Sequence, residues 1–148
     1  MGAAETKKGA VKQPTSLWDI LGEAVRKVPP SYWEERMMFG GASDRELLRQ
    51  TSFFPERRRH SLGTHPIYVL RITGSDGIEV CPCSTKGRMA VRFIRQGCRL
   101  EGTGKVLNRR SYLIEAFRFL LPQDPAFWKP LRFWGKVPET CLESVSAP

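Results

Sequence analysis

Apolar and polar residues alternate most clearly in residues 62–86, LGTHPIYVLRITGSDGIEVCPCSTK. Tyr68, Leu70 and Ile72 occupy every second position, and a second apolar run follows residues 74–77, GSDG. This pattern predicts two antiparallel strands joined by a tight turn. In such a hairpin the start of the first strand lies beside the end of the second. His65 and Ser84 are therefore expected at the same end of the sheet.

Further strand patterns follow the hairpin. Residues 89–95 predict a third strand, and the bulky run SYLIEAFRFLL at 111–121 predicts a long central strand. Gly97, Gly102 and Gly104 suit the corner of a small barrel. Pro138 precedes ETCLESV, which predicts a last helix. The chain is thus predicted to be mainly β, a small β-barrel with a C-terminal helix.

The N-terminal third has helical rather than alternating periodicity. Residues 16–28 predict a first helix, and 31–39 a second, which Gly40 and Gly41 end. Ser43 and Glu46 form a capping box before DRELLRQ, and a strand over 47–54 is the alternative. The predicted organisation is a disordered tail (1–14), a helical N-terminal extension (15–60) and the barrel domain (61–148).

The chain has 148 residues, of which 41% are hydrophobic, enough for one domain with a core. Its net charge is +9, and residues 61–148 hold 13 basic and 7 acidic residues. This excess favours a polyanion or an acidic protein as partner; a basic surface that only keeps the protein in solution is the alternative. No apolar run is long enough to cross a membrane, and no secretory signal is apparent. We therefore expect a cytoplasmic protein with four free thiols.

Several classes of site lack support in the sequence. Cys81 and Cys83 are spaced C-x-C, whereas structural zinc sites usually use two C-x₂₋₄-C pairs, so no metal and no cofactor are expected. There is no G-x-S-x-G elbow and no glycine-rich phosphate loop. Asp76 and Glu79 lie by the hairpin turn, away from the hydroxyl groups, and do not suggest a glycosidase pair.

RNA cleavage needs less machinery, because the 2′-hydroxyl of the substrate is the nucleophile. The protein must supply a proton acceptor, a proton donor and groups that stabilise the phosphorane. His65 can transfer protons near neutral pH, and Ser84 and Thr85 can hold the phosphate. We therefore predict these three as catalytic residues. The residues predicted to bind RNA by charge or hydrogen bonding are Arg57, Arg58, Arg59, Lys86 and Arg88.

A family resemblance points the same way. THPIYVLRI, the turn and EVCPCSTKGRMAVRFI resemble the MazF/PemK family of toxin endoribonucleases, as do GKVLNRRSYLIEAFRFLLP and WGKVPETCLESV further on. The likeness covers about residues 61–146. It implies an SH3-like barrel, usually a homodimer, that cuts single-stranded RNA without a metal and is held inactive by an antitoxin protein. The family's catalytic arginine before the proline corresponds to His65, and its catalytic Thr or Ser to Ser84, with Thr85 next.

Two departures from the family pattern leave an alternative open. His65 replaces the arginine, which keeps proton transfer but loses the fixed positive fork. About 45–60 residues precede the match, whereas the family begins almost directly with its first strand. A catalytically inactive SH3-like barrel that binds nucleic acid or a protein partner is therefore the alternative to a ribonuclease.

Overall fold

The computed structural model describes residues 27–55, 63–74, 77–87 and 89–145. Several predictions concern residues outside these ranges: the tail, most of the first helix, the middle of the hairpin turn, and the arginines Arg57, Arg58, Arg59 and Arg88.

The described residues are mainly β, as predicted. Their strands are β1 (Met37–Ser43), β2 (Thr64–Ile72), β3 (Ile78–Ser84), β4 (Arg92–Ile94), β5 (Ser111–Leu113), β6 (Phe119–Leu120), β7 (Arg132–Lys136) and β8 (Leu142–Ser144). The α-helices are α1 (Asp44–Thr51) and α2 (Pro125–Trp128), and 3-10 turns cover Pro30–Tyr32, Glu115–Phe117 and Glu139–Cys141. The strands form one sheet in the order β7-β1-β2-β3-β5-β4-β8, with β6 beside β3, which curls into an antiparallel half-barrel.

The predicted hairpin is confirmed. β2 and β3 pair antiparallel, with Tyr68 opposite Cys81 and Val69 opposite Val80. Val69 and Val80 belong to one apolar cluster and Tyr68 and Cys81 to another, and all four side chains are buried. The strand alternation thus places two apolar layers on opposite faces of the hairpin, which makes it the centre of the fold.

The predicted capping box is also confirmed. The Ser43 hydroxyl accepts a hydrogen bond from the backbone N–H of Glu46 at 3.1 Å and begins α1. Leu47 is fully buried on the side of the helix that faces the core. The alternative of a strand over residues 47–54 is therefore wrong.

The second predicted helix is wrong, because residues 37–43 form strand β1. This strand lies inside the sheet, between β2 and β7. It crosses Gly40 and Gly41 through an irregular step in the pairing. A Cβ at Gly40 would lie 2.3 Å from Trp134 Nε1, and Gly41 has a φ of +96°. The glycines thus admit a packed indole and a bulge rather than ending an element. Within residues 27–55, the predicted helical extension consists of a 3-10 turn, a strand and one helix.

The predicted long strand over 111–121 is divided. β5 pairs with β3 at Cys83, and β6 pairs with β3 at Val80. The register between these pairings differs by three residues, which the 3-10 turn Glu115–Phe117 accommodates. The Glu115 carboxylate accepts hydrogen bonds from Arg92 at 2.8 and 3.1 Å, which fixes the turn.

The elements predicted on either side of this segment are shorter or of another kind. The third strand is limited to Arg92–Ile94, since Met89 has a φ of +70°, which does not fit a strand. The predicted last helix is a 3-10 turn, Glu139–Cys141, followed by β8, which pairs with β4 at the edge of the sheet. The free backbone hydrogen-bonding groups at the edge of β4 thus pair with this segment, which forms a strand instead of a helix.

The expectation of four free thiols is wrong. Cys98 and Cys141 form a disulfide with a Cα–Cα distance of 5.9 Å, and both residues are buried. This bond ties the loop after β4 to the turn before β8. Cys81 and Cys83 are free and buried in β3.

Candidate functional site

The two ends of the hairpin meet as the sequence predicts. The pairing of β2 with β3 runs as far as Ile67 opposite Pro82, and His65 and Ser84 each lie two residues beyond this pair. The predicted proton-transfer residue and the predicted phosphate-binding hydroxyl are therefore at the same end of the sheet.

A cavity of about 360 Å³ lies at this end of the sheet. His65, Ser84 and Thr85 all line it. The His65 side chain shares its face of β2 with Ile67, whereas the cavity residues Met38, Cys83 and Trp134 belong to the apolar cluster of the opposite face. Lysine and arginine residues that the sequence did not single out also line it, as does an apolar group. The cations are Lys105, Arg109 and Arg110, and the apolar group consists of Met38, Leu107 and Trp134.

His65 is held by a carboxylate. Its Nδ1 lies 2.6 Å from Oδ1 of Asp44, and the Asp44 and His65 side chains are only 12% and 28% exposed. A carboxylate accepts hydrogen bonds, so Nδ1 carries a proton, and in the neutral ring Nε2 is the nitrogen with the free lone pair. The pair therefore has the form of an oriented general base.

The chain fold explains how Asp44 reaches this position. At the end of β1, Ala42 pairs with His65 and Ser43 pairs with Thr64, and Asp44 follows as the first residue of α1. The Asp44 backbone N–H donates to the Gly63 carbonyl at 2.9 Å, which fixes the start of the helix beside β2. Sequence reasoning missed Asp44, because it treated the segment before it as helix.

The hydroxyl side of the site has a simpler arrangement. Ser84 Oγ accepts a hydrogen bond from the Lys86 backbone N–H at 3.0 Å. This bond stabilises the turn after β3 and leaves the hydroxyl hydrogen available to donate. Thr85 and Lys86 are exposed.

Aromatic rings support two of the cavity cations. The Lys105 ammonium lies 4.6 Å from the centre of the Trp134 ring, and the Arg110 guanidinium lies 4.3 Å from that of Phe93. Arg110 also donates to the Tyr112 hydroxyl at 3.2 Å. These contacts restrict the conformations of the two side chains and keep their positive charges at the cavity. The only sequence signal for them is the basic composition of GKVLNRR.

Burial removes two other groups from acid–base chemistry. It raises the pKa of the Tyr68 hydroxyl, although the nearby Arg92 opposes the shift. Burial also raises the pKa of the Cys81 thiol well above its ordinary value, and the neighbouring Cys83 adds to this effect. Both groups are therefore neutral at physiological pH, which suits a packed strand rather than a reactive site.

A second cavity, of about 280 Å³, has charges that largely neutralise one another. Arg71 and Arg118 contact Glu79 at 2.9 and 3.6 Å, and Arg92 contacts Glu115 at 2.8 Å. The hydrogen bond to Glu115 raises the pKa of Arg92. These pairs join β2, β3 and β4 to the turn after β5, which is a structural role.

The described residues contain neither a membrane-spanning helix nor a cluster of metal ligands. No helix in residues 27–55, 63–74, 77–87 or 89–145 is long and apolar enough to cross a membrane. Within the same ranges, no group of three or more His, Cys, Asp or Glu residues is placed to hold a metal ion.

Comparison of the chain with models of known protein families, with curated proteins and with solved structures found no match.

Proposed function

We propose that this protein is an endoribonuclease that cleaves single-stranded RNA without a metal ion. The observation that carries the proposal is the shared cavity, where His65, held by Asp44, lies with Ser84, Thr85 and three cationic residues. This combination supplies a proton acceptor, hydroxyl donors and positive charge in one place, which is what cleavage by the substrate's own 2′-hydroxyl needs.

His65 acts as the proton shuttle in the proposed reaction. Its Nε2 takes the proton of the 2′-hydroxyl while the 2′-oxygen forms a bond to phosphorus. The bond from phosphorus to the 5′-oxygen then breaks, and the protonated imidazole returns the proton to that oxygen. The products are a 2′,3′-cyclic phosphate and a 5′-hydroxyl, so atoms and protons balance without a co-reactant.

The cavity stabilises the phosphorane that forms between these two steps. Lys105, Arg109 and Arg110 offset its negative charge, and the hydroxyls of Ser84 and Thr85 donate hydrogen bonds to its oxygens. In the resembled family, an arginine stands where His65 is. These cations supply the positive charge that the histidine lacks as a neutral base.

The resemblance to the MazF/PemK family supports the same activity and extends the proposal. By this likeness the half-barrel corresponds to an SH3-like barrel, the protein acts in the cytoplasm, and an antitoxin protein and a second copy of the chain are its partners. The net charge of +9 suits the RNA substrate. Arg57, Arg58, Arg59, Lys86 and Arg88 remain predicted RNA contacts along the strand.

Cleavage of an end-labelled single-stranded RNA tests the proposal. We expect cleavage in the presence of EDTA, with products that carry 2′,3′-cyclic phosphate ends. His65→Ala is expected to abolish it, and Ser84→Ala to reduce it strongly. Ser144→Ala, which removes an exposed hydroxyl from the edge strand β8, is the matched control and is expected to retain activity. Cleavage that survives the His65→Ala, Ser84→Ala double variant would contradict the site.

A non-catalytic nucleic-acid-binding protein is the second candidate. The observation that favours it is the bond from the Lys86 N–H to Ser84 Oγ, an ordinary use of a strand-end hydroxyl to stabilise a turn. This candidate predicts salt-sensitive RNA binding without cleavage. The wild-type cleavage assay separates the two.

A further inference from the structure

Three phenylalanines form a partly exposed aromatic surface near the candidate site. The ring centres of Phe53 and Phe117 are 6.0 Å apart and stacked, and those of Phe54 and Phe117 are 6.4 Å apart. We call Phe53, Phe54 and Phe117 the aromatic platform. Phe53 is 67% exposed, the largest exposed fraction among the large hydrophobic side chains that the structure describes.

Hydrogen bonds hold the platform in place. At the end of α1, Ser52 adopts a left-handed conformation, and the Thr51 hydroxyl accepts hydrogen bonds from the backbone N–H groups of Phe53 and Phe54. Phe117 ends the 3-10 turn that the pair of Arg92 with Glu115 fixes. An aromatic surface built on two fixed turns loses little entropy when a ligand packs on it.

The platform is continuous with the catalytic histidine. The Phe54 ring lies edge-on to the His65 ring, with centres 4.9 Å apart. His65 and Ile67 are on the same face of β2, and Phe54 packs against the apolar cluster that contains Ile67. A strand of RNA whose phosphate is at His65 therefore has a neighbouring base within reach of the platform.

We infer that the aromatic platform stacks an unpaired nucleobase next to the scissile phosphate; this inference rests on the proposed function. The platform offers ring faces and no polar side-chain atom, so stacking there is tolerant of base identity. Arg118 follows Phe117 directly and is 55% exposed, with its guanidinium 3.6 Å from the Glu79 carboxylate. The contact of Phe54 with His65, at which the scissile phosphate is proposed to bind, favours an RNA base over a protein segment as the occupant.

Binding to a non-cleaving variant tests the inference. In the His65→Ala background, fluorescence anisotropy with a labelled single-stranded RNA is expected to show affinity at least about five-fold weaker after Phe53→Ala. Leu120→Ala is the matched control. Leu120 is 55% exposed and pairs with Glu79. Glu79 is five residues from Ser84 along β3, which corresponds to about 16 Å between these two residues. We expect the Leu120→Ala variant to bind like the background.

An RNA with a single abasic nucleotide, moved along the strand, identifies the stacked base. At that position, the loss of binding free energy caused by removing the base and the loss caused by Phe53→Ala should not be additive, because each change removes the same contact. Additive effects at every position overturn the inference. Equal RNA affinity of the Phe53→Ala and Leu120→Ala variants also overturns it. In either case, RNA cleavage by the wild-type protein would still support the proposed function.

Two further results are distinguishable. If the wild-type chain neither cleaves nor binds single-stranded RNA, the proposed function fails and the inference fails with it. If Phe53→Ala lowers the mass of the protein in solution without changing its affinity for RNA, the platform is an interface with a second copy, which overturns the base-stacking site.

Discussion

The contact between Asp44 and His65 gives the sharpest prediction. Asp44→Asn keeps the size of the side chain and removes its charge. The bond is 2.6 Å long between two largely buried side chains, and His65 becomes positively charged during the proposed reaction. Hydrogen bonds to charged groups contribute about 1.5–3 kcal/mol, and each 1.4 kcal/mol is about a factor of ten in rate. We therefore expect kcat to fall about 10- to 150-fold.

The asparagine variant also affects which ring nitrogen carries the proton. An amide group can turn its NH₂ towards Nδ1, and the ring proton then moves to Nε2, which can no longer accept the proton of the 2′-hydroxyl. A ¹H–¹⁵N spectrum of the imidazole reports the tautomer directly. A merely structural role for Asp44 would leave that spectrum unchanged.

Kinetics on a short fluorogenic RNA provide the main measurement. We expect kcat to fall while KM changes less than about two-fold, because Asp44 orients His65 and is not proposed to touch the substrate. Glu46→Gln is the matched control, since Glu46 also lies in the first turn of α1 and shares the favourable interaction with the helix dipole. Wild-type kcat in Asp44→Asn, with His65→Ala inactive, would refute the positioning role.

Three further predictions concern stability. Replacing Cys98 and Cys141 by serine should lower the free energy of unfolding in urea by about 4 kcal/mol, given a sequence separation of 43 residues. Because burial raises the pKa of Tyr68, the folded state keeps a proton that the unfolded state loses above about pH 10. Stability should therefore fall with rising pH there, by at most about 1.4 kcal/mol per unit, and less steeply in Tyr68→Phe. Gly40→Ala should cost about 1–3 kcal/mol, because its Cβ overlaps the Trp134 indole, and tryptophan fluorescence during urea unfolding measures it.

Each of the three stability predictions has a result that would contradict it. Equal unfolding curves for the serine variant and the wild type, both without reductant, would argue against the disulfide. An unchanged pH dependence in Tyr68→Phe would show that other groups cause the alkaline loss. Wild-type stability in Gly40→Ala would mean that the Trp134 side chain moves aside at little cost.

Local patterns in the sequence predicted the elements that local interactions form. The hairpin follows from alternation on both sides of a glycine-bounded turn, and α1 follows from the capping box at Ser43. β1 could not be found in this way. Its run Met-Met-Phe-Gly-Gly has no strand alternation, and its two partners lie far along the chain, with Met38 pairing with Tyr68 and with Gly135.

Contacts between residues far apart in the sequence also explain the other differences between the predicted and the observed structure. β8 forms because β4 has a free edge there, which no feature of ETCLESV indicates. The disulfide joins cysteines 43 residues apart, and spacing alone does not reveal such a pair. Lys105, Arg109 and Arg110 reach the cavity from the segment before β5, where the sequence shows only ordinary basic residues.

The misassigned β1 and the missed Asp44 have the same cause, and together they bear on the proposal that His65 does the work of the arginine found in the resembled family. An arginine brings its own positive charge, whereas a neutral imidazole must be held in one tautomer to act as a base. Because β1 pairs with β2, it places the first residue of α1 against His65 and supplies the carboxylate that fixes the tautomer. The cations of the cavity supply the missing charge separately. In the proposed reaction, proton transfer thus belongs to His65 with Asp44 and charge stabilisation to the basic residues of the loop before β5, and the Asp44→Asn variant tests the first of these two roles.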